Sequence, residues 1–349
     1  MCPASASAQH SDQAGTPARL DPLHQGIRRL TTPPTAPGDP GRRSLLSTLV
    51  LLAGYLLLAP SIFFLGPLAL LLLVSRPSSR REWIWLVISL LGVAASVQGG
   101  HGLFEQTVRG YGAFFAGIFV IAALIGVRSL VNRALLGVTV ATAAIAVWYF
   151  RLHLRFVDFR ADVSTATWDA YRRIYPELPA VAPTTGNDAV GSTSVSEFAR
   201  NLADGLASAS KLTPGFLTLL ILLGAWLAWG WYHRVSRRPI GPPAKPFVDF
   251  RFNDQLIWLL LLASAVGLLA PDGDLSTFSA NLFVVLAGLY AARGLAVAQC
   301  ALRRVSALFA LVLYLLAFPV LPFAMFAIGV ADTWLDLRRR IAPIQGATP

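Results

Sequence analysis

The sequence predicts an all-α polytopic membrane bundle of about ten transmembrane helices, with eight as the lower bound and short Pro-broken hairpins at both ends. Three observations predict this fold. Hydrophobic side chains make up 55% of the 349 residues and charged ones only 13%, about half the charged fraction of soluble domains. Apolar runs recur along the chain, and arginines stand between them. The chain therefore lacks the polar surface that a water-soluble domain needs.

Two polar tails and one long loop divide the apolar runs. We predict a disordered tail over residues 1–43, a first membrane half over 44–150, an extracytoplasmic loop over 151–211, a second membrane half over 212–337 and a tail over 338–349. The predicted spans, about five in each half, lie near residues 44–59, 62–75, 83–98, 111–127, 134–150, 213–232, 255–270, 277–300, 305–318 and 320–332.

Several of these runs are shorter than the roughly 20 residues of a perpendicular span. Residues 44–75 are therefore either one long tilted helix or a tight hairpin broken at Pro60. The same alternatives hold for residues 305–332, at Pro319 and Pro322. Hairpins that enter and leave the same face of the membrane remain a third alternative at both ends.

The distribution of basic residues predicts the orientation of the chain. With ten spans, the tails and loops on one side hold 20 Lys and Arg, whereas the short loop between the third and fourth spans on the other side holds only Arg109. Basic residues favour the cytoplasmic side and its anionic lipid headgroups. We therefore predict a membrane protein with both termini in the cytoplasm, and we attribute the net charge of +11 to this topology and not to nucleic-acid binding.

The loop over residues 151–211 is the largest segment predicted outside the cytoplasm. Residues 156–175 and 194–210 have helical periodicity and are separated by a stretch rich in Pro, Gly and Thr. We interpret them as two short amphipathic helices that lie on the bilayer or cap a site from outside.

The sequence has no local pattern typical of a catalytic or metal site. The spacings H-x-x-x-H, H-E-x-x-H, C-x-x-C, G-x-S-x-G and G-x-x-x-x-G-K-[ST] do not occur, and the two cysteines, Cys2 and Cys300, lie far apart in sequence. Such spacings bring ligands, nucleophiles or phosphate-binding amides together. We therefore predict no catalytic residue, metal or cofactor, and an ATPase would have to be a partner subunit.

The informative residues are polar ones within apolar runs. Arg293 lies about ten residues before the boundary at Arg303, and an embedded arginine is costly unless it pairs or reaches the interface. We predict an intramembrane polar cluster of Arg293, Asn281, Asp332 and Asp336. Three interpretations stay open for Arg293: a brace to an aspartate, a contact with substrate or lipid headgroup, and simple extension to the surface.

A second candidate cluster lies on the predicted outer face. It consists of His101, Glu105 and Arg109. Glu105 and Arg109 are four residues apart, which suits an ion pair on one helical face. This group is either a solvated ion pair or the entrance to a site.

Small residues four apart predict close helix packing. The pairs are Ala113 with Gly117, Ala122 with Gly126, and Ala263 with Gly267. These pairs predict helix association and do not indicate a ligand.

The second half of the chain resembles a known family. The order runs from Leu212-Thr213-Pro214 through Arg237-Arg238, Phe247-Val248-Asp249-Phe250-Arg251, Asn281 and residues 289–296 to residues 329–338. It resembles the YybS-like family of uncharacterised bacterial multi-pass membrane proteins, over residues 44–340. This resemblance implies that the protein lies in the bacterial cytoplasmic (inner) membrane. Members are distantly similar to the substrate-binding subunits of energy-coupling-factor vitamin transporters, which implies a solute-binding subunit driven by a partner ATPase. Those subunits typically have about six spans, fewer than the number predicted for this chain, and a likeness of fold does not by itself establish a function.

Two function classes follow. The first is a transport-related or small-solute-binding membrane subunit without its own ATPase, with a cavity near mid-bilayer lined by Arg293 or Asn281. The alternative is a non-catalytic membrane scaffold in cell-envelope assembly, with a solid bundle in which those groups are satisfied internally. An intramembrane enzyme would need a nucleophile or an acid–base pair within a span, and the sequence offers none.

Overall fold

The computed structural model describes residues 51–57, 59–98, 102–127, 129–176, 178, 194–270, 273–302 and 320–337. Residues 51–57 are helical, and ten longer α-helices follow among the described residues. The predicted tails and the predicted span over 305–318 lie outside the described residues. No strand occurs in the described segments, which confirms the all-α prediction for them.

The helices are α1 (Ile62–Val74), α2 (Arg80–Val97), α3 (Leu103–Leu124), α4 (Leu130–Arg151), α5 (Phe156–Ile174), α6 (Ser194–Ser210), α7 (Thr213–Val235), α8 (Leu256–Leu269), α9 (Asp274–Leu302) and α10 (Leu321–Leu335). A 3-10 turn, Phe247–Asp249, lies between α7 and α8.

Helix length separates two kinds of apolar helix. Among the described residues, α3, α4, α7 and α9 are long and apolar enough to cross a membrane. Helices α1, α8 and α10 have only 13, 14 and 15 residues, which corresponds to about 20 Å of rise against a hydrocarbon core of about 30 Å. The predicted number of about ten spans is therefore not confirmed.

The first apolar run is broken where a proline was expected to break it. Helical structure reaches residue 57 and resumes at Ile62, so the backbone leaves the helix around Pro60. This excludes one continuous helix over residues 51–74. The phenol of Tyr55 donates a hydrogen bond to the carbonyl of Leu220 on α7, at 2.9 Å.

Helix α7 contacts helices from both halves of the chain. It packs on α1, α4 and α9, while α9 also packs on α8 and α10. The first core cluster includes Phe63, Phe115 and Trp229, all fully buried. A second, smaller cluster surrounds Tyr290 of α9.

Polar side chains inside the first cluster join three helices. The hydroxyl of Tyr111 on α3 lies 3.0 Å from that of Thr218 on α7 and 3.2 Å from that of Thr142 on α4. In an apolar interior such groups need partners. These hydroxyls find theirs on neighbouring helices.

The two helices of the loop pack on each other. Trp168 of α5 and Ala199 and Ala203 of α6 share a buried cluster. Asp162 of α5 also accepts a hydrogen bond, at 2.6 Å, from the backbone N–H of Phe104 in the first turn of α3. Because their apolar faces meet, α5 and α6 form a small helical layer on the bundle end, and α5 caps α3.

The small-residue prediction holds for one of three pairs. A side-chain carbon added at Gly267 would lie 3.3 Å from the hydroxyl of Ser279 on α9, and that hydroxyl donates to the carbonyl of Ala263. The prediction is wrong for Gly117 and Gly126 as far as the described residues show, because an added Cβ at either glycine would meet none of their atoms within 4 Å. Gly126 instead follows α3 with φ of 86°, a backbone conformation that suits glycine at a helix end.

Candidate functional site

Arg293 is the centre of a buried ion-pair network. Its Nε donates to Asp332 Oδ2 at 2.9 Å and one terminal nitrogen donates to Asp254 Oδ1 at 2.5 Å. The side chains of Arg293 and Asp332 are 3% and 0% exposed, whereas that of Asp254 is 63% exposed. The network therefore joins α9, α10 and the segment before α8, and Asp254 is the exposed member of these three side chains.

Two glycines bring Arg293 and Asp332 together. A Cβ added at Gly294 would overlap the backbone carbonyl of Met325, and one added at Gly329 would overlap that of Tyr290. Helices α9 and α10 thus touch backbone to backbone. This close approach places an arginine and an aspartate, each near one of these glycines in sequence, at hydrogen-bond distance.

The other two members of the predicted intramembrane cluster lie elsewhere. Asp336 follows α10 in a left-handed conformation, with φ of 42°, and accepts from Arg251 at 2.7 Å. Asn281 lies twelve residues before Arg293 on α9, about 18 Å along the helix. The structure therefore joins Arg293 with Asp332 and separates both from Asn281.

Asn281 instead holds the start of α7 against α9. Its side-chain oxygen accepts from the backbone N–H of Gly215 at 2.7 Å, and its nitrogen donates to the carbonyls of Lys211 and Thr277, at 2.7 and 2.8 Å. The first N–H groups of a helix lack partners within the helix. Asn281 supplies one for α7 and fixes the backbone that enters it.

A half-open cavity of about 330 Å³ lies beside Asn281. Three parts of the chain line it: α5, the end of α6 with the turn into α7, and the start of α9. The lining residues are Arg160, Ser208, Lys211, Leu212, Gly273, Asp274, Ser276, Thr277 and Ala280. Two of them, Lys211 and Thr277, are bound by Asn281 through their carbonyls, so this asparagine ties together two walls of the cavity.

The cavity carries more positive than negative charge. Arg160 and Lys211 face one acidic residue of the lining, Asp274. The Nε atom of Arg160 is buried and has no hydrogen-bond partner within the described part of the chain. Buried donors are normally satisfied by protein, water or ligand. Arg293 does not line this cavity, and the cavity predicted beside that arginine stays a prediction.

The opposite end of the bundle is closed by Glu82. Its carboxylate accepts three backbone N–H bonds, each at 2.7 Å, from Ser78, Ser79 and Arg237. Burial raises the pKa of Glu82, but these bonds and one from the Ser79 hydroxyl outweigh burial and lower it from 4.5 to about 2. Glu82 thereby joins the start of α2 to the segment after α7.

Arg133 is a second buried arginine at that end. It is 3% exposed, donates to the carbonyl of Val127 and lies with its guanidinium carbon 4.6 Å from the ring centre of Trp229. An arginine over a tryptophan face gains a cation–π attraction. These contacts give the buried charge partners.

The second candidate cluster is only in part described. Arg109 donates to Glu105 at 2.9 Å, with side chains 20% and 43% exposed, and His101 lies outside the described residues. The pair is partly solvated and does not line the cavity.

Sequence reasoning missed Glu82, Asp254 and the cavity residues. For Glu82 a signal existed, since Ser79-x-x-Glu82 has the spacing of a capping box, which the structure contains. Asp254 stands just before an apolar run and gave no sign of reaching Arg293. The cavity had no local signal because its walls come from segments more than 40 residues apart.

Comparison with known proteins gives one finding. The model of a family described as predicted membrane protein (DUF2232) matches residues 44–333. No curated protein and no solved structure matches the chain.

Proposed function

We propose that this chain, which belongs to the DUF2232 family of predicted membrane proteins, is a multi-pass membrane protein that binds a small solute in the cavity beside Asn281. Its activity would be solute binding, as a transport-related subunit driven by another polypeptide. The resemblance to the YybS-like family, and through it the distant similarity to energy-coupling-factor subunits, supports this role. The cavity is the observation that carries it.

Three features of the cavity support binding. Its volume of about 330 Å³ falls in the range of small-molecule sites. Polar groups from three separate segments converge on it, as at sites that recognise a solute. Asn281 holds two of those segments in place, so the cavity is formed before any solute enters.

The location of the cavity fits uptake from outside. It lies at the end of the bundle where α7 and α9 begin, and the distribution of basic residues assigns this end to the extracytoplasmic side. The opposite end, with Glu82 and Arg237, is then cytoplasmic. A partner ATPase would act there.

The test is whether a large side chain that fills the cavity prevents solute binding. Full-length protein in lipid nanodiscs is tested by thermal unfolding against a panel of neutral, anionic and cationic metabolites. We expect members of the panel to stabilise the wild type, and Ala280→Phe to abolish that stabilisation. Ala207→Phe is the matched control, because Ala207 is exposed on α6 and outside the lining. If no compound gives a stabilisation that Ala280→Phe removes, the proposal is wrong.

The membrane scaffold is the second candidate, and one observation favours it. Arg293 has its charge satisfied within the bundle by Asp332 and Asp254, as expected for a brace. A scaffold predicts that Ala280→Phe leaves every phenotype of the protein unchanged, whereas solute binding predicts loss of function in that variant with the fold intact.

A further inference from the structure

We infer that the cavity recognises an anionic group of its solute, a phosphate or a carboxylate, through Arg160 and Lys211. This inference rests on the proposed function and names the class of solute. It follows from the charges of the lining, from the hydroxyl-bearing residues among it and from the helix start that borders it.

The two basic side chains come from different elements. Arg160 belongs to α5, and Lys211 lies between α6 and α7. Neither forms an ion pair with any residue that the structure describes. Two cations that line one space repel each other, and an anion between them removes that repulsion.

Arg160 supplies the more specific observation. Its Nε is shielded from solvent and lacks an acceptor in the described segments. Because water does not reach that nitrogen, a solute oxygen in the cavity would meet the other N–H groups of the guanidinium, whose planar fork matches a carboxylate or a phosphate.

Neutral donors complete the lining. Ser208 and Ser276, each with a hydroxyl group, line the same space. The cavity also borders the first turn of α9, whose N–H groups favour negative charge. Asp274 is the opposing acid, and it suits a solute that carries a hydroxyl or amino group besides its anionic one.

The anionic group has two sources with the same chemistry. A free phosphate or carboxylate solute enters from water, whereas a phospholipid headgroup enters from the bilayer. Both present oxygens to Arg160 and Lys211. The test therefore needs an arm for each source.

The test measures binding by calorimetry to full-length protein in phosphatidylcholine nanodiscs. The probes are inorganic phosphate, glycerol 3-phosphate and lactate as anions, glycerol as a neutral compound and ethanolamine as a cation. We expect the anions to bind more tightly than the other two. Arg160→Gln and Lys211→Gln should each weaken glycerol 3-phosphate about tenfold or more, the effect of losing one charge-assisted hydrogen bond. Arg160→Lys should restore part of that loss.

Arg200→Gln is the matched control, because Arg200 is exposed on α6 and outside the lining; it should change the affinity less than twofold. In the second arm, phosphatidylglycerol replaces phosphatidylcholine. If phosphatidylglycerol weakens the binding of glycerol 3-phosphate to the wild type, and does so less in Arg160→Gln, the anion is a lipid headgroup. If the affinity for glycerol 3-phosphate is the same in both lipids, the anion is a free solute.

Two failures are distinguishable. If glycerol or ethanolamine binds, Ala280→Phe blocks it and the anions do not bind, the anion inference is wrong and solute binding stands. If none of the probes and none of the wider panel gives binding that Ala280→Phe removes, both are wrong.

Discussion

Gly294 and Gly329 lie against each other's helices so closely that a Cβ on either would overlap a backbone carbonyl of the other helix. This contact fixes the distance between α9 and α10. Arg293 and Asp332 then meet in the space beside it. The helix contact and the buried ion pair therefore depend on each other.

The glycine contact predicts a large cost for a single methyl group. Gly329→Ala should lower the free energy of unfolding by about 3 kcal/mol or force α10 away from α9, because overpacking at backbone contacts is poorly relieved. Thermal unfolding in nanodiscs measures it. Gly117→Ala is the control, since a Cβ there meets no atom within 4 Å in the part of the chain that the structure describes. Equal stability of the two variants would contradict the contact.

The ion pair predicts a different pattern. Arg293→Ala should lower the free energy of unfolding by about 3 to 5 kcal/mol, because it leaves Asp332 as a buried charge with its main partner removed. Removing both groups in Arg293→Met with Asp332→Leu should recover much of that loss. Arg251→Ala breaks the exposed pair with Asp336 and should cost about 1 kcal/mol or less.

The brace interpretation of Arg293 depends on that result. Arg293→Ala protein that is expressed and unfolds like wild type, yet loses solute binding, would show that Arg293 is a binding residue and not a brace. Chemical denaturation and the calorimetric titration, performed on the same nanodisc sample, separate the two.

Glu82 predicts a pH dependence. Because the pKa of Glu82 is lowered from 4.5 to about 2 in the folded protein, its contribution is complete above pH 4.5 and is lost as pH falls toward 2. The stability difference between wild type and Glu82→Gln should therefore be largest near neutral pH and shrink through this window. Glu105→Gln, at the solvated pair, is the control. A difference that stays constant down to pH 2 would contradict the assignment.

Asn281 predicts coupling between stability and binding. Asn281→Ala removes the acceptor for the N–H of Gly215. It also removes the donor to the backbone carbonyls of Lys211 and Thr277. We expect a loss of about 1 to 3 kcal/mol in the free energy of unfolding, and weaker solute binding than the stability loss alone explains. Thr218→Ala, in the buried hydroxyl cluster of α7, should destabilise without changing the affinity.

The sequence predicted what single residues can signal. An arginine in an apolar run must find a partner, and Asp332 is one of the two aspartates in the cluster predicted around Arg293. The partner Asp254, the assignment of Asp336 to Arg251 and the reach of Asn281 to Gly215 depend on how chain segments cross. Composition and periodicity carry no information on such crossings. The number of spans could not be predicted from the sequence, because α1, α8 and α10 are apolar but shorter than the hydrocarbon core is thick.

The cavity illustrates the same limit. Arg160 lies on α5, Lys211 between α6 and α7, and Asp274 on α9, and none of them stands in a recognisable motif. The loop over residues 151–211 was predicted either to lie on the bilayer or to cap a site. Its helices pack on each other, and α5 also contacts α3; α5 and the end of α6 line the cavity.

Site-directed labelling of the cavity tests the central claim most directly. In a protein with Cys2 and Cys300 replaced by serine, Ser208→Cys is exposed to a membrane-impermeant maleimide on intact spheroplasts, with and without glycerol 3-phosphate. We predict labelling from outside that the solute slows at Ser208→Cys but not at the control Ala207→Cys. Labelling that requires permeabilised membranes, or that no solute of the panel slows, would contradict an extracytoplasmic solute site.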